Sequence, residues 1–180
     1  SDEDEGRTRW LRGIAGSGEV YEVENTADLI KTLDEAVDQC ECIYKLTISA
    51  HGGWVGEGGF RFKKYDHTDW EYQEIISEAN ATRFAQIIAG VFCDECVINL
   101  MSCGAMEGKT ASILAAKTGC RVRGSKGRFY RGSSYIGWEN FRIFTIRDYW
   151  QSEGPVYEVC PQGKEGVFHP GEKPEGSEVW

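Results

Sequence analysis

The sequence predicts an α/β fold, in which helices and strands alternate along a chain of 180 residues. Three segments indicate this fold. An amphipathic helical pattern covers Asn25 to Gln39, a strand pattern rich in β-branched residues covers Ile43 to Ala50, and a continuous apolar run covers Val97 to Ser102. A strand that is apolar on both sides suits a sheet covered on both faces. We therefore expect a three-layer α/β/α sandwich with a mainly parallel central sheet.

The first half of the chain predicts a strand, a helix and a second strand. Glu19 to Glu24 alternates between apolar and polar residues as a strand does. The helix that follows has Asn25 or Thr26 as its N-cap, and its apolar side consists of Leu29, Ile30, Leu33, Ala36 and Val37. The strand from Ile43 to Ala50 leads into a predicted glycine-rich loop, Gly52 to Gly59, and then a short extended segment, 60–72.

The second half continues the alternation. The predicted elements are a helix over Ala81–Phe92, the strand Val97–Ser102, a helix over Gly108–Gly119 that ends at Gly119 as its C-cap, and strands at Cys120–Ser125 and Phe141–Arg147. The length suits one core. We therefore expect a flexible acidic lead-in at 1–18, one α/β domain at 19–150, and an irregular tail rich in glycine and proline at 151–180, packed on that domain.

Composition and charge narrow the class of partner. The net charge is −9, so we expect no nucleic-acid partner bound through a broad basic face. No apolar run approaches the roughly 18 residues that a membrane-spanning helix needs, so we expect no membrane partner. Proteins and peptides remain as the partners or substrates that this chemistry favours.

Two predicted strands end at residues whose side chains can take part in catalysis. In "KLTISAHGG" the strand ends at His51, and in "CVINLMSCGA" the apolar strand ends at Cys103. Ligands in open α/β sheets bind beyond the carboxyl ends of the strands. If the two strands are parallel neighbours, the imidazole and the thiol lie at the same edge of the sheet. His67 and His169 lack such a context, and we expect them at the surface.

A thiol and an imidazole at one edge suit nucleophilic catalysis. The thiolate is the reactive form of cysteine, and a nearby histidine can take up its proton and later protonate a leaving group. Gly52 lacks a side chain, so a substrate backbone can approach it closely, and its N–H together with that of Cys103 can hold a developing oxyanion.

The pair of motifs, a strand ending in His51-Gly52 and a later strand ending in Ser102-Cys103-Gly104, resembles the caspase-like cysteine peptidases of clan CD. The similarity covers roughly Glu19 to Gly127. It implies a Cys–His dyad with Cys103 as nucleophile, His51 as general acid and base, and Gly52 in the oxyanion site, without a metal or organic cofactor. The caspase Gln-Ala before the cysteine is missing, and the pattern is closer to bacterial relatives such as clostripain, gingipain and toxin cysteine protease domains.

The remaining cysteines leave several interpretations open. Cys40, Cys42, Cys93 and Cys96 immediately precede the two strands and are expected at the opposite edge of the sheet from the dyad. They are compatible with a tetrahedral zinc site, with disulfides or with unbridged thiols. Cys120 and Cys160 fit either buried thiols or a bridge between them. The alternative to a peptidase is a non-catalytic caspase-like interaction module that these cysteines stabilise.

Overall fold

The computed structural model describes residues 21–54, 56–62, 74–132, 149–152 and 154–169. The expectations for the lead-in 1–18, for most of the segment 60–72 and for the strand at Phe141–Arg147 concern residues outside these ranges, and so does the surface position expected of His67.

The described ranges contain three α-helices and ten strands. The helices are α1 (Thr26–Cys40), α2 (Ala81–Ile88) and α3 (Thr110–Thr118), and α2 continues into a 3₁₀ turn, Ala89–Val91. The strands are β1 (Ile43–Ser49), β2 (His51–Trp54), β3 (Gly58–Arg61), β4 (Ile75–Ile76), β5 (Phe92–Met101), β6 (Arg121–Ser125), β7 (Phe129–Gly132), β8 (Tyr149–Ser152), β9 (Val156–Val159) and β10 (Glu165–Val167). Within the described ranges, no helix combines the length and the apolar character that a membrane span requires.

The main sheet has five strands in the order β1-β5-β6-β9-β10. Strands β1, β5 and β6 are parallel, whereas β9 pairs antiparallel with both β6 and β10. The prediction of an α/β fold is confirmed, and the sheet is mixed, with two parallel and two antiparallel strand pairs. The antiparallel pairs involve β9 and β10, which lie in the described part of the stretch predicted as an irregular tail. These two short strands extend the main sheet, although the glycines and prolines of the stretch are typical of loops.

A second, three-stranded antiparallel sheet, β2-β3-β4, lies directly after β1 in the chain. The sequence predicts a loop over Gly52–Gly59, and the structure instead forms the hairpin of β2 and β3 there. The glycines serve close backbone approach and not only chain reversal. A methyl group on Gly59 would lie 2.0 Å from the Ile76 carbonyl oxygen, which is far inside van der Waals contact.

The strand predicted at Glu19–Glu24 does not form over its described part, because the backbone from Tyr21 to Glu24 is irregular. The helix start determines the local conformation. Asn25 is the N-cap of α1, and its side chain accepts a hydrogen bond from the Asp28 N–H at 2.9 Å. Val23 is half-buried and packs against the core through its side chain.

One apolar core lies between the main sheet and the three helices. Its strand side chains include the alternate residues Cys96, Ile98 and Leu100 of β5. The helices contribute Leu29 and Leu33 from α1, Phe84, Ala85 and Ile88 from α2, and Ala111, Leu114 and Ala115 from α3. For α1, the helical periodicity of the sequence correctly predicts Leu29 and Leu33 as inward-facing residues.

The other face of the sheet carries a polar row. Thr47, Asn99, Arg123 and Glu158 are register partners on four successive strands. Asn99 donates a hydrogen bond to Thr47 Oγ1 at 3.2 Å, Arg123 forms an ion pair with Glu158, and the Arg123 guanidinium lies 4.0 Å from the centre of the Phe168 ring. Asn99 is only 5% exposed. Both faces of β5 are thus buried near its carboxyl end, as the apolar run predicts.

Two disulfides join the starts of the parallel strands. Cys42–Cys93 links β1 to β5, and Cys96–Cys120 links β5 to β6. For three of the four cysteines before the strands, the structure therefore shows disulfides instead of zinc ligands. The proposed bridge between Cys120 and Cys160 is wrong, because Cys120 is already bonded to Cys96.

The Cys42–Cys93 disulfide is expected to contribute substantially to stability. It closes a loop between residues 51 positions apart, and such a loop constrains the unfolded chain by about 4 kcal/mol in the chain-entropy model. We predict that the double variant Cys42→Ser/Cys93→Ser loses about 4 kcal/mol in the free energy of unfolding measured with urea. Cys160→Ser, which removes a half-buried thiol outside both disulfides, is the control. A loss no larger than that of the control would contradict the assigned bridge.

Candidate functional site

The register of β1 and β5 brings the two predicted residues to one edge of the main sheet. Ser49 pairs with Met101 at the carboxyl ends of the two parallel strands. His51 and Cys103 each lie two residues beyond these partners, and the Ala50 N–H donates to the Met101 carbonyl oxygen at 3.4 Å between them. The sequence predicts that both residues end their strands. The structure ends the strands at Ser49 and Met101, and His51 begins β2.

Gly52 lies directly against the backbone of Cys103. A methyl group built on Gly52 would lie 2.2 Å from the Cys103 carbonyl oxygen and 3.2 Å from the Cys103 Cβ. Contacts this short exclude any side chain at position 52 unless the backbone moves. The residue after His51 therefore touches the residue proposed as nucleophile, and the close approach explains the glycine.

Both predicted reactive side chains are accessible. His51 and Cys103 are exposed, whereas the neighbouring Ser102 is 1% exposed and donates a hydrogen bond from Oγ to the Gly59 carbonyl oxygen at 3.0 Å. The buried serine anchors the chain immediately before the thiol. Because the Cys103 thiol is exposed and the backbone before it is held in place, a substrate can reach the sulfur.

The segment from Ser102 to Lys109, called the Cys103 loop below, turns sharply. Gly104 has a φ of 63°, which favours glycine, and its N–H donates to the Gly127 carbonyl oxygen at 2.8 Å. The Met106 N–H donates to the Ser125 carbonyl oxygen at 3.1 Å. These bonds hold the loop against the end of β6. The backbone around Cys103 is therefore held from both sides, by Gly52 on one side and by the end of β6 on the other.

The hairpin of β2 and β3, called the His51 hairpin below, consists of residues 51–54 and 56–61. His51 on β2 is the cross-strand partner of Arg61 on β3, so the neighbouring strand carries a guanidinium group at the position opposite the imidazole. The hairpin is anchored to the core through Phe60, whose ring packs edge-on against Phe62 and Phe84. The imidazole is therefore carried by a segment with its own buried anchor.

One cationic side chain near the Cys103 loop is paired with a carboxylate. Lys126, one residue before Gly127, forms an ion pair with Glu165, and its Nζ lies 4.4 Å from the centre of the Tyr157 ring. The hydrogen bond to Glu165 raises the pKa of Lys126 against the opposing effect of desolvation. Lys126 is cationic at neutral pH, and Glu165 offsets this charge.

The described ranges contain no cluster of side chains that could bind a metal ion. No group of three or more His, Cys, Asp or Glu side chains there is arranged to hold a metal ion. His169, expected at the surface, is exposed. What the arrangement offers chemically is a thiol, an imidazole and backbone N–H groups at one edge of a sheet.

Two residues near the pair have no clear signal in the sequence. Arg61 is linked to His51 only through the hairpin register, because the sequence predicts a short extended segment at 60–72 without identifying its partner strand. Glu107 accepts a hydrogen bond from the Gly56 N–H at 2.7 Å and so joins the Cys103 loop to the His51 hairpin. The one local hint for Glu107 is its position between two glycines of the loop, Gly104 and Gly108, both of which have positive φ.

Comparisons of the chain with protein-family models, with curated proteins and with solved structures gave no match.

The contact between Gly52 and Cys103 leads to a stability prediction. Gly52→Ala is expected to lower the free energy of unfolding by about 1–3 kcal/mol, because the added methyl group forces the two segments apart. Urea unfolding measures this change. Gly90→Ala is the matched control, since a methyl group there meets no atom within 4 Å. Equal stability of the two variants would show that the segments do not touch as described.

Proposed function

We propose that this protein is a cysteine endopeptidase of the caspase-like type, with Cys103 as nucleophile and His51 as general acid and base. The observation that carries the proposal is the contact of Gly52 with the Cys103 backbone at the edge where β1 and β5 end in register. This contact supports the resemblance of the two sequence motifs, since it joins them in space.

In the proposed reaction, the Cys103 Sγ attacks the carbonyl carbon of the scissile peptide bond, and the thiol proton passes to His51. The N–H groups of Gly52 and Cys103 donate to the oxyanion that forms. The C–N bond then breaks, and His51 returns the proton to the leaving amine, which leaves a thioester on Cys103. Water attacks the thioester with His51 as base, releasing the acid and restoring the thiol.

The fold proposed with this activity is the three-layer α/β/α sandwich of caspase-like peptidases. The described helices α1, α2 and α3 share one core with one face of the sheet and supply one outer layer. The covering of the other face is proposed from the burial of Asn99 and Met101 near the carboxyl end of β5. Protein or peptide chains are the proposed substrates, with no metal or organic cofactor taking part in the chemistry.

We predict that the two proposed catalytic side chains are each required for cleavage. Cys103→Ala should abolish hydrolysis of a degenerate peptide library, read by mass spectrometry, because the nucleophile is gone. His51→Ala should lower the rate by about 10²- to 10⁴-fold, the usual contribution of general acid–base catalysis. Cys160→Ser and His169→Ala change an unbridged thiol and an exposed imidazole elsewhere and should cleave as the wild type does. Wild-type cleavage by His51→Ala would refute the dyad.

Thiol reactivity separates the peptidase from the non-catalytic interaction module. We predict that His51→Ala markedly slows the labelling of Cys103 by iodoacetamide, whereas the labelling of the half-buried Cys160 stays unchanged. The label is located by peptide mapping, with His169→Ala as control. Equal labelling rates of Cys103 in the wild type and in His51→Ala would favour the interaction module. Cleavage should also persist in the presence of a metal chelator.

A further inference from the structure

The His51 hairpin contacts the Cys103 loop at three levels. At its base, Gly52 lies against the Cys103 backbone. In the middle, the Gly59 N–H donates to the Ala105 carbonyl oxygen at 3.1 Å. At its tip, the Gly56 N–H donates to Glu107 Oε2 at 2.7 Å. The two segments that carry the imidazole and the thiol therefore run alongside each other and are bonded along their length.

The contact at the tip is the one of the three in which a side-chain carboxylate of the Cys103 loop holds the hairpin. Buried Phe60 anchors β3 in the core, whereas Gly52 and Gly53 of β2 have no side chains that could anchor this strand. The bond at Gly56 therefore adds a fixed point just beyond the end of β2, the strand that begins with His51. A carboxylate that accepts a backbone hydrogen bond provides a stronger contact than a neutral acceptor.

The turn of the Cys103 loop places Glu107 against the His51 hairpin. The Glu107 N–H donates to the Gly104 carbonyl oxygen at 2.9 Å, which folds the chain back after Cys103. A methyl group on Gly104 would lie 3.1 Å from the Glu107 carboxyl carbon, so the side chain passes close to the residue after the thiol. A methyl group on Gly58 would lie 2.0 Å from the Glu107 carbonyl oxygen, so the Glu107 backbone also touches the hairpin.

We propose that Glu107 is a positioning residue that holds the His51 hairpin against the Cys103 loop and so sets the imidazole relative to the thiol. The inference rests on the proposed peptidase function. Glu107 itself takes no part in bond making or proton transfer. It is a suitable target because it is only half-buried, whereas Ser102 of the same loop and Thr110 of α3, which also donate hydrogen bonds to the hairpin, are buried and their replacement disturbs the core.

The test compares Glu107→Ala, Glu107→Gln and the control Glu78→Ala. Glu78 accepts a hydrogen bond from the Lys109 N–H at 2.6 Å, at the far end of the same loop. Glu107→Ala is expected to lower kcat about 10- to 100-fold with KM changed less than about 3-fold, because a small displacement of a catalytic group slows the chemical step. Glu107→Gln keeps an oxygen that can accept from Gly56 and should stay within about 3-fold of the wild type, as should Glu78→Ala.

Amide hydrogen exchange at Gly56 tests the contact without reference to activity. Its exchange should accelerate in Glu107→Ala and remain unchanged in Glu107→Gln and Glu78→Ala, with thermal unfolding showing that each variant is folded. Unchanged exchange in Glu107→Ala, a kcat equal to that of the wild type, or a loss that Glu107→Gln does not restore would each overturn the positioning role. If the wild type cleaves no peptide, the peptidase proposal fails, and the Gly56 exchange alone decides whether Glu107 holds the hairpin.

Discussion

The parallel register between β1 and β5 is the constraint on which the candidate site depends. His51 and Cys103 are separated in sequence by the same number of residues as the paired Ser49 and Met101. A slip of one residue would turn every side chain of one strand to the opposite face and would move Gly52 away from Cys103. The register therefore fixes which backbone atoms meet at the edge of the sheet, before any property of the two side chains matters.

The disulfides act on this register from the other end of the strands. Pairing shifts between Ile43 and Lys45, opposite the "CDEC" segment of β5, where Glu95 has a φ of 61°. A non-glycine residue in this conformation is strained by about 1–2 kcal/mol. Cys93 and Cys96 flank the irregular residues and bond to the starts of the two neighbouring strands. The covalent links thus hold the strands together where the hydrogen-bond ladder is interrupted.

The sequence predicts the parts of the fold that depend on local periodicity. The apolar spacing of α1 identifies Leu29 and Leu33 as core residues, and Gly119 ends α3 as predicted, with a φ of 77°. It does not predict the His51 hairpin, because Gly52, Gly53 and Gly59 have no side chains to display an alternating pattern. Their role is set by distant backbone atoms, such as the carbonyl groups of Cys103 and Ile76, which no local window contains.

The same distinction applies to the candidate site. His51 and Cys103 can be found from the sequence because each follows an apolar strand, and parallel neighbours end at a common edge. Arg61 and Glu107 cannot be found in this way, because their relevance depends on a cross-strand pair and on a hydrogen bond to Gly56. Strand patterns thus reveal residues at the ends of strands, whereas the neighbours that tertiary contacts bring to the site are not visible in a local pattern.

The sheet also separates two kinds of sulfur chemistry. The bonded cysteines Cys96, within β5, and Cys120, just before β6, are 2% and 0% exposed, whereas Cys103 is exposed beyond the carboxyl end of β5. The rise along β5 from Cys96 to Met101 is on the order of 15 Å. Thiol–disulfide exchange requires direct contact between the attacking sulfur and the bond. The rigid strand therefore prevents Cys103 from attacking these disulfides within one molecule. In the proposed peptidase, the oxidised cysteines stabilise the scaffold while the thiol at the opposite edge stays available to substrate.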